Sequence, residues 1–318
     1  MRSILFAVGP WSWGAIVILW AGVFFFVILW QYLENREEDR KLKPTDYAWT
    51  ALVSGVAALV LLYLVNHFGP LTVKAYGVML LLAFAAGTWW TVYSADDEDL
   101  QLSEVIDVAL LALVGSIIGA RVVYVALEHH QFASFAGVFD VWSGGLSFHG
   151  GLAGALLAGW GYCRYKKHSF FRTIDQFAPG IALGYSFARI GCFLNGCCHG
   201  SPTDLPWAVT FPSSGACSLP GVPLHPSQLY ASAAAFIIFL VLVRLKPFLK
   251  QHGHLFLSFL MLYSVARFLV EYTRSGVTAE PLYGTANITV AQFASAIIFV
   301  IAGIVMAVTW PKDPGTDG

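Results

Sequence analysis

Long apolar runs broken by short polar segments set the pattern of this 318-residue chain. A helix that crosses a bilayer needs about 20 mostly apolar residues. That rule places spans near residues 11–32, 48–68, 73–94, 104–127, 146–163, 176–195, 227–244, 254–273 and 289–309. The runs are continuous rather than alternating, which predicts helices and not the strands of a barrel. The expected fold class is an all-α polytopic membrane protein with about nine transmembrane helices. The third and fourth spans are parted by the acidic turn Asp96-Asp97-Glu98-Asp99. The first lacks a small-residue cleavage pattern and is long for a signal peptide, so it is expected to be retained.

Composition agrees. The chain is 57% hydrophobic and 12% charged, against about 25% charged in soluble domains. Mean hydropathy is +0.67. A net charge of -1 without a basic stripe points away from nucleic acid. Charge placement gives an orientation. Arg36, Arg40, Lys41 and Lys43 follow the first span, Arg164, Lys166, Lys167 and Arg172 the fifth, and Arg244, Lys246 and Lys250 the seventh. Alternating spans put all three groups on one side, expected to be cytoplasmic. The N-terminus is then outside, and the C-terminus with Lys312 inside.

Polar residues within the spans carry the chemistry. The stretch Arg189 to Gly200 reads Arg-Ile-Gly-Cys-Phe-Leu-Asn-Gly-Cys-Cys-His-Gly and closes the sixth span. A charge at the centre of a membrane helix costs about 2.5–3.5 kcal/mol on insertion scales, so Arg189 needs an anionic partner, a ligand or a wet cavity. Arg189 and Cys192 share a face if helical, Asn195 follows one turn on, and Gly196 can end the helix. Arg267, Glu271 and Arg274, at i, i+4 and i+7, share a face of the eighth span near Tyr263. Two arginines against one glutamate leave positive charge over, which argues for an anionic ligand such as a phospholipid phosphate or a transported anion.

Arg121 ends a span that carries Gly115 and Gly119. It is expected either to pair with Glu128 or to serve the site. His149 sits among Gly144, Gly145, Gly150 and Gly151 at the start of the fifth span, where helix N–H groups can receive a phosphate. It is read as a packing histidine or as a proton-transfer or orienting group. Tyr76 is an interfacial anchor or a site residue. His225-Pro226-Ser227-Gln228-Leu229-Tyr230 follows a proline-rich, non-helical loop and opens the seventh span.

The five cysteines leave four arrangements open. Cys217 can pair with Cys197 or Cys198 in a disulfide. Cys192, Cys197, Cys198 and His199 can bind a metal, although Cys-x4-Cys-Cys-His lacks the usual C-x2-C spacing. A thiol activated by Arg189 and inert packing are the others.

From about Lys74 to Pro311 the chain resembles the prolipoprotein diacylglyceryl transferases. The matching pieces are Tyr76-Gly77, Gly119-Ala120-Arg121, Gly144 to Gly154, Ala188 to Gly191 with Phe193 to Gly196, His225 to Tyr230, and Tyr263 with Arg267, Phe268, Glu271 and Arg274. The resemblance implies a seven-helix core at 71–311 in the bacterial inner membrane, two accessory helices in 1–70, and a tail at 312–318. It implies transfer of the diacylglyceryl group of phosphatidylglycerol to the lipobox cysteine of a preprolipoprotein, without metal or organic cofactor. His149, Arg189 and Arg267 would be catalytic. Tyr76, Arg121, Gly150, Gly151 and Asn195 would bind substrate, together with Gly200, His225, Tyr263, Glu271 and Arg274. The site would face the outer side.

The pattern departs from the family at four places. Cys192 and Cys197 replace an asparagine and a glutamate, Ala231 replaces a glutamate, and Ser143 an acidic residue. Cys192, Cys197 and Cys198 therefore form a candidate thiol site. A branch with another acceptor, a non-enzymatic lipid-binding protein, and a membrane thiol-redox or metal protein remain as alternatives.

Overall fold

The structure is a computed structural model that describes residues 4–8, 71–96, 100–131, 137–138, 144–213, 216–274 and 288–310. The spans expected near 11–32 and 48–68, Ser143 and the tail at 312–318 lie outside the described residues.

Among the described residues seven α-helices follow in order: α1 (Ala75–Tyr93), α2 (Leu102–Leu127), α3 (Phe148–Lys166), α4 (Phe170–Asn195), α5 (Ser227–Leu245), α6 (His254–Glu271) and α7 (Val290–Thr309). All but α3 are long and apolar enough to cross a membrane. Each overlies one expected span, but α4 starts at Phe170 rather than near residue 176. Four short strands also occur: β1 (Ile4–Val8), β2 (Leu71–Lys74), β3 (Val209–Thr210) and β4 (Pro223–Leu224).

The chain divides into two compact units, Arg2–Ala75 and Tyr76 onward. In the first, β1 pairs antiparallel with β2, with Phe6 opposite Val73 and Val8 opposite Leu71. The expected third span thus begins as strand at residues 73 and 74. Four residues of pairing across a long sequence gap leave no local signal.

The second unit is helical. Its ends follow capping chemistry. Gln101 and Glu104 form a capping box on α2, and Thr289 and Gln292 form one on α7. Ser147 caps α3 by accepting from the Gly150 N–H at 3.4 Å. Gly196, at φ +81°, ends α4 in the left-handed conformation. Asp175 of α4 caps α6 across the bundle, accepting from Gly253 N at 2.5 Å and Phe256 N at 2.7 Å.

Small residues set the packing, as membrane helices require. A Cβ on Gly115 would lie 2.7 Å from the Gly154 carbonyl, and one on Gly119 2.9 Å from Gly154 Cα, so α2 and α3 touch through backbone. Gly87 of α1 meets Gly180 of α4 in the same way. Ser186 of α4 and Ser232 of α5 exchange hydroxyl-to-carbonyl hydrogen bonds at 3.0 and 2.9 Å. The core joins Ala178, Ala182 and Leu183 of α4 to Ile238, Phe239 and Leu242 of α5 and Leu255 of α6. Large apolar side chains such as Leu81, Ile118, Leu157, Ile237 and Leu269 are exposed. So broad an apolar surface suits lipid rather than water.

Candidate functional site

α4, α5 and α6 border a small open cleft lined by Tyr185, Arg189, Ala231, Ala234, Ala235, Ile238, Tyr263, Ala266, Arg267, Val270 and Arg274. Four alanines and three arginines share the lining. The helical spacing of the sequence builds the charged part. Arg267 and Glu271, one turn apart on α6, form an ion pair. Arg274, just past the helix end, keeps Nε 3.6 Å from the same Glu271 carboxylate. Glu271 is buried, and its other oxygen accepts a 3.4 Å hydrogen bond from Thr289 Oγ1 before α7.

Arg189 is held differently. Its guanidinium lies over the Tyr185 ring, 4.7 Å from the centroid, and Tyr185 packs edge-on to Tyr263 at 5.5 Å. Among the described residues no carboxylate pairs with it. Tyr185 went unrecognised in the sequence; its place one turn before Arg189 was the available signal, because aromatic and cationic side chains at i and i+4 stack. Three arginines therefore line the cleft, and among the described residues the carboxylate paired with two of them is Glu271. The charge surplus read from sequence is present, and Arg189 adds to it.

The end of α4 gathers the thiols. Gly196 at φ +81° and Cys198 at φ +59° turn the chain back on itself. The Sγ atoms of Cys192, Cys197 and Cys198 come within 4.8 Å of one another. Gln228 of α5 fixes the loop by donating to the Cys197 carbonyl at 2.8 Å. Cys198 lies below the ordinary thiol range, held there by hydrogen bonds from Cys192 and Cys197 and then by Arg189 and Arg274. All five cysteines are free, so the disulfide from Cys217 is not formed. His199 turns away from the sulfurs, engaging the Gly200 carbonyl and Ser218 Oγ, each at 2.9 Å.

The remaining residues have varied surroundings. Gly200 is buried and bridges to Arg274, and its N–H donates to His225 O at 2.9 Å; a Cβ there would strike Ser227, His225 and the Thr273 carbonyl. His225 is partly buried, with Nδ1 lacking a hydrogen-bond partner, and its ring lies 6.2 Å from that of Tyr230. Tyr76 packs near Gly191, where a Cβ would lie 3.4 Å from Tyr76 Cδ2. Asn195, the last residue of α4, accepts from Ala216 N at 3.0 Å.

Arg121 shows what sequence spacing could not. It is buried and donates to four loop carbonyls: Val138 and Gly137 at 2.7 Å, Gly144 at 2.8 Å and Gly145 at 3.0 Å. Glu128, its expected partner, lies 3.5 Å from His130. Gly150 and Gly151 face α2 at Val123 and Ala120. His149 is exposed on the first turn of α3 and does not line the cleft.

Fold and site together define a multi-pass membrane protein with an arginine-rich, half-apolar cleft. The family model described as prolipoprotein diacylglyceryl transferase matches residues 63–309. The phosphatidylglycerol–prolipoprotein diacylglyceryl transferase of Clostridium botulinum (strain Langeland) is 33% identical over 239 residues, covering 74% of this chain and 92% of that relative. The enzyme of that name from Finegoldia magna is 34% identical, covering 74% and 91%. That from Aeromonas hydrophila is 34% identical over 253 residues, covering 77% and 89%. The chain belongs to the prolipoprotein diacylglyceryl transferase family.

Proposed function

We propose that this chain moves the diacylglyceryl group of phosphatidylglycerol onto the lipobox cysteine thiol of a preprolipoprotein and releases glycerol phosphate. The observation that carries this reading is the cleft lined by Arg189, Arg267 and Arg274, of which Arg267 and Arg274 pair with the buried Glu271. The lipid phosphate is a diester with one negative charge. When the acceptor sulfur bonds to the glyceryl carbon, the carbon–oxygen bond to phosphate breaks and a second charge builds on the departing phosphate. Fixed guanidiniums in a site poor in water stabilise that second charge more than the first, which lowers the barrier. The lining alanines suit the glyceryl and acyl carbons.

Arg189 and Arg267 hold the phosphate in this scheme, and Glu271 sets the place of Arg267 and Arg274. Tyr263 braces Tyr185 under Arg189. His149 assists proton removal or positions the substrate, whose thiol must become a thiolate to attack. Tyr76, Asn195 and His225 frame the headgroup side, and Arg121, Gly150, Gly151 and Gly200 shape the walls through packing. The assignment extends to the inner membrane, with the N-terminus outside, the C-terminus cytoplasmic and the cleft facing out. It also takes residues 1–70 as accessory helices on a core at 71–311, with a tail at 312–318.

The test is complementation. Expressed in a bacterium depleted of its own transferase, the chain should convert a lipoprotein precursor, and Arg189→Ala should stop the conversion. No conversion by a chain shown to be in the membrane would turn the reading towards lipid binding without turnover.

A further inference from the structure

We propose that Cys192, Cys197 and Cys198 form a three-thiolate site for one Zn2+ ion, with a fourth position that takes an external thiol. The spacing Cys-x4-Cys-Cys argued against a metal on sequence grounds. The fold supplies what spacing lacks. Two left-handed positions, Gly196 and Cys198, return the loop to the last turn of α4. A non-glycine residue at positive φ is costly and marks a place where the surroundings demand it. Here the demand is that both loop sulfurs reach Cys192, and all three lie within 4.8 Å of one another. Tetrahedral zinc with bonds of about 2.3 Å needs sulfurs roughly 3.8 Å apart, so a small inward movement completes the set.

Three further observations point to a cation of this kind. The cluster sits at the C-terminal end of α4, where the helix carries partial negative charge and favours a cation. Gln228, almost wholly buried, pins the carbonyl of Cys197 at 2.8 Å, the sort of outer support that orients metal ligands. Both nitrogens of His199 are engaged elsewhere, so the sulfurs alone are available, and thiolates select soft ions. Three protein ligands with an open place is the arrangement of catalytic zinc. Cys198 is exposed, so that place is reachable from outside.

The choice of an external thiol rests on the transferase reading above. An acceptor cysteine that binds there loses its proton to solvent and forms a zinc–sulfur bond, which holds it as thiolate.

The experiment uses the full chain in detergent, reduced and loaded with Zn2+ or Co2+. It should retain one zinc per chain. With Co2+ it should show thiolate-to-metal charge-transfer and tetrahedral bands. Cys192→Ser or Cys197→Ser should weaken binding more than about 10-fold, whereas His199→Gln should retain the metal. A lipobox peptide with its cysteine should shift the Co2+ bands, and its serine counterpart should not. Wild-type chain that is folded and reduced yet holds no metal would overturn the site. So would undiminished zinc in the triple serine variant, or a disulfide within the trio in chain taken directly from membranes. Unshifted bands with the cysteine peptide would overturn the external-thiol position. Zinc binding by a chain that fails complementation would count against the transferase reading and leave the metal site standing.

Discussion

The Glu271 carboxylate lies 3.6 Å from Nε of Arg274, although α6 has already ended between them. The same oxygen receives Arg267 from one turn earlier. One buried acid thus holds two cations, and neither is fully neutralised.

Glu271→Gln should therefore destabilise the protein. Removing one partner of a buried ion pair typically costs about 3–5 kcal/mol, because the remaining charge has no counterpart. The melting temperature of detergent-solubilised chain should fall. Added phosphatidylglycerol should restore more of that loss in the variant than it adds to the wild type. An unchanged melting temperature would show that Glu271 is not the counter-charge.

Arg189→Ala should lower transfer about 10²–10³-fold, the usual consequence of removing one donor to developing charge. Arg189→Lys should recover only part, since an ammonium lacks the planar fork and stacks poorly on Tyr185. The measurement is turnover of a lipobox peptide with phosphatidylglycerol. Full rate in the alanine variant would remove Arg189 from the mechanism.

Arg121→Lys should loosen the loop it anchors. Lysine cannot reach four separate carbonyls, and each buried acceptor left without a donor costs about 1–3 kcal/mol. Proteolysis next to Gly144 and Gly145, whose carbonyls Arg121 holds, should quicken. Protection equal to wild type would mean that the loop is held by other contacts.

Gly119→Leu should separate α2 from α3. The new side chain meets the backbone of Gly150 and Gly154, which cannot move aside cheaply. Overpacking of this kind costs about 1–3 kcal/mol and often more against backbone. Loss of folded protein after detergent extraction would show it, and Ile118→Leu on the exposed face should be neutral.

Much of this was legible in the chain because membrane helices are written in continuous apolar runs, and their polar interruptions stand out. The end of α4 followed from the glycine at 196, and the shared face of Arg267, Glu271 and Arg274 from helical period. What escaped depended on partners distant in sequence. Arg121 looked ready for Glu128 one face along, yet it donates to the carbonyls of Gly137, Val138, Gly144 and Gly145, which only the fold brings near. The Ser186–Ser232 pair joins two helices by residues unremarkable in either. The thiol cluster was visible as composition, but its closeness depends on a positive φ at Cys198 that sequence does not announce.

The three guanidiniums that line the cleft also bear on which lipids can dwell there. A phosphatidylethanolamine headgroup brings its own ammonium, which would sit against Arg189 or Arg274 and be repelled. A glycerol headgroup brings only hydroxyls. In the transferase reading, the excess of arginine over glutamate among the described residues would act as a charge filter on the bilayer, admitting anionic headgroups and turning back zwitterionic ones.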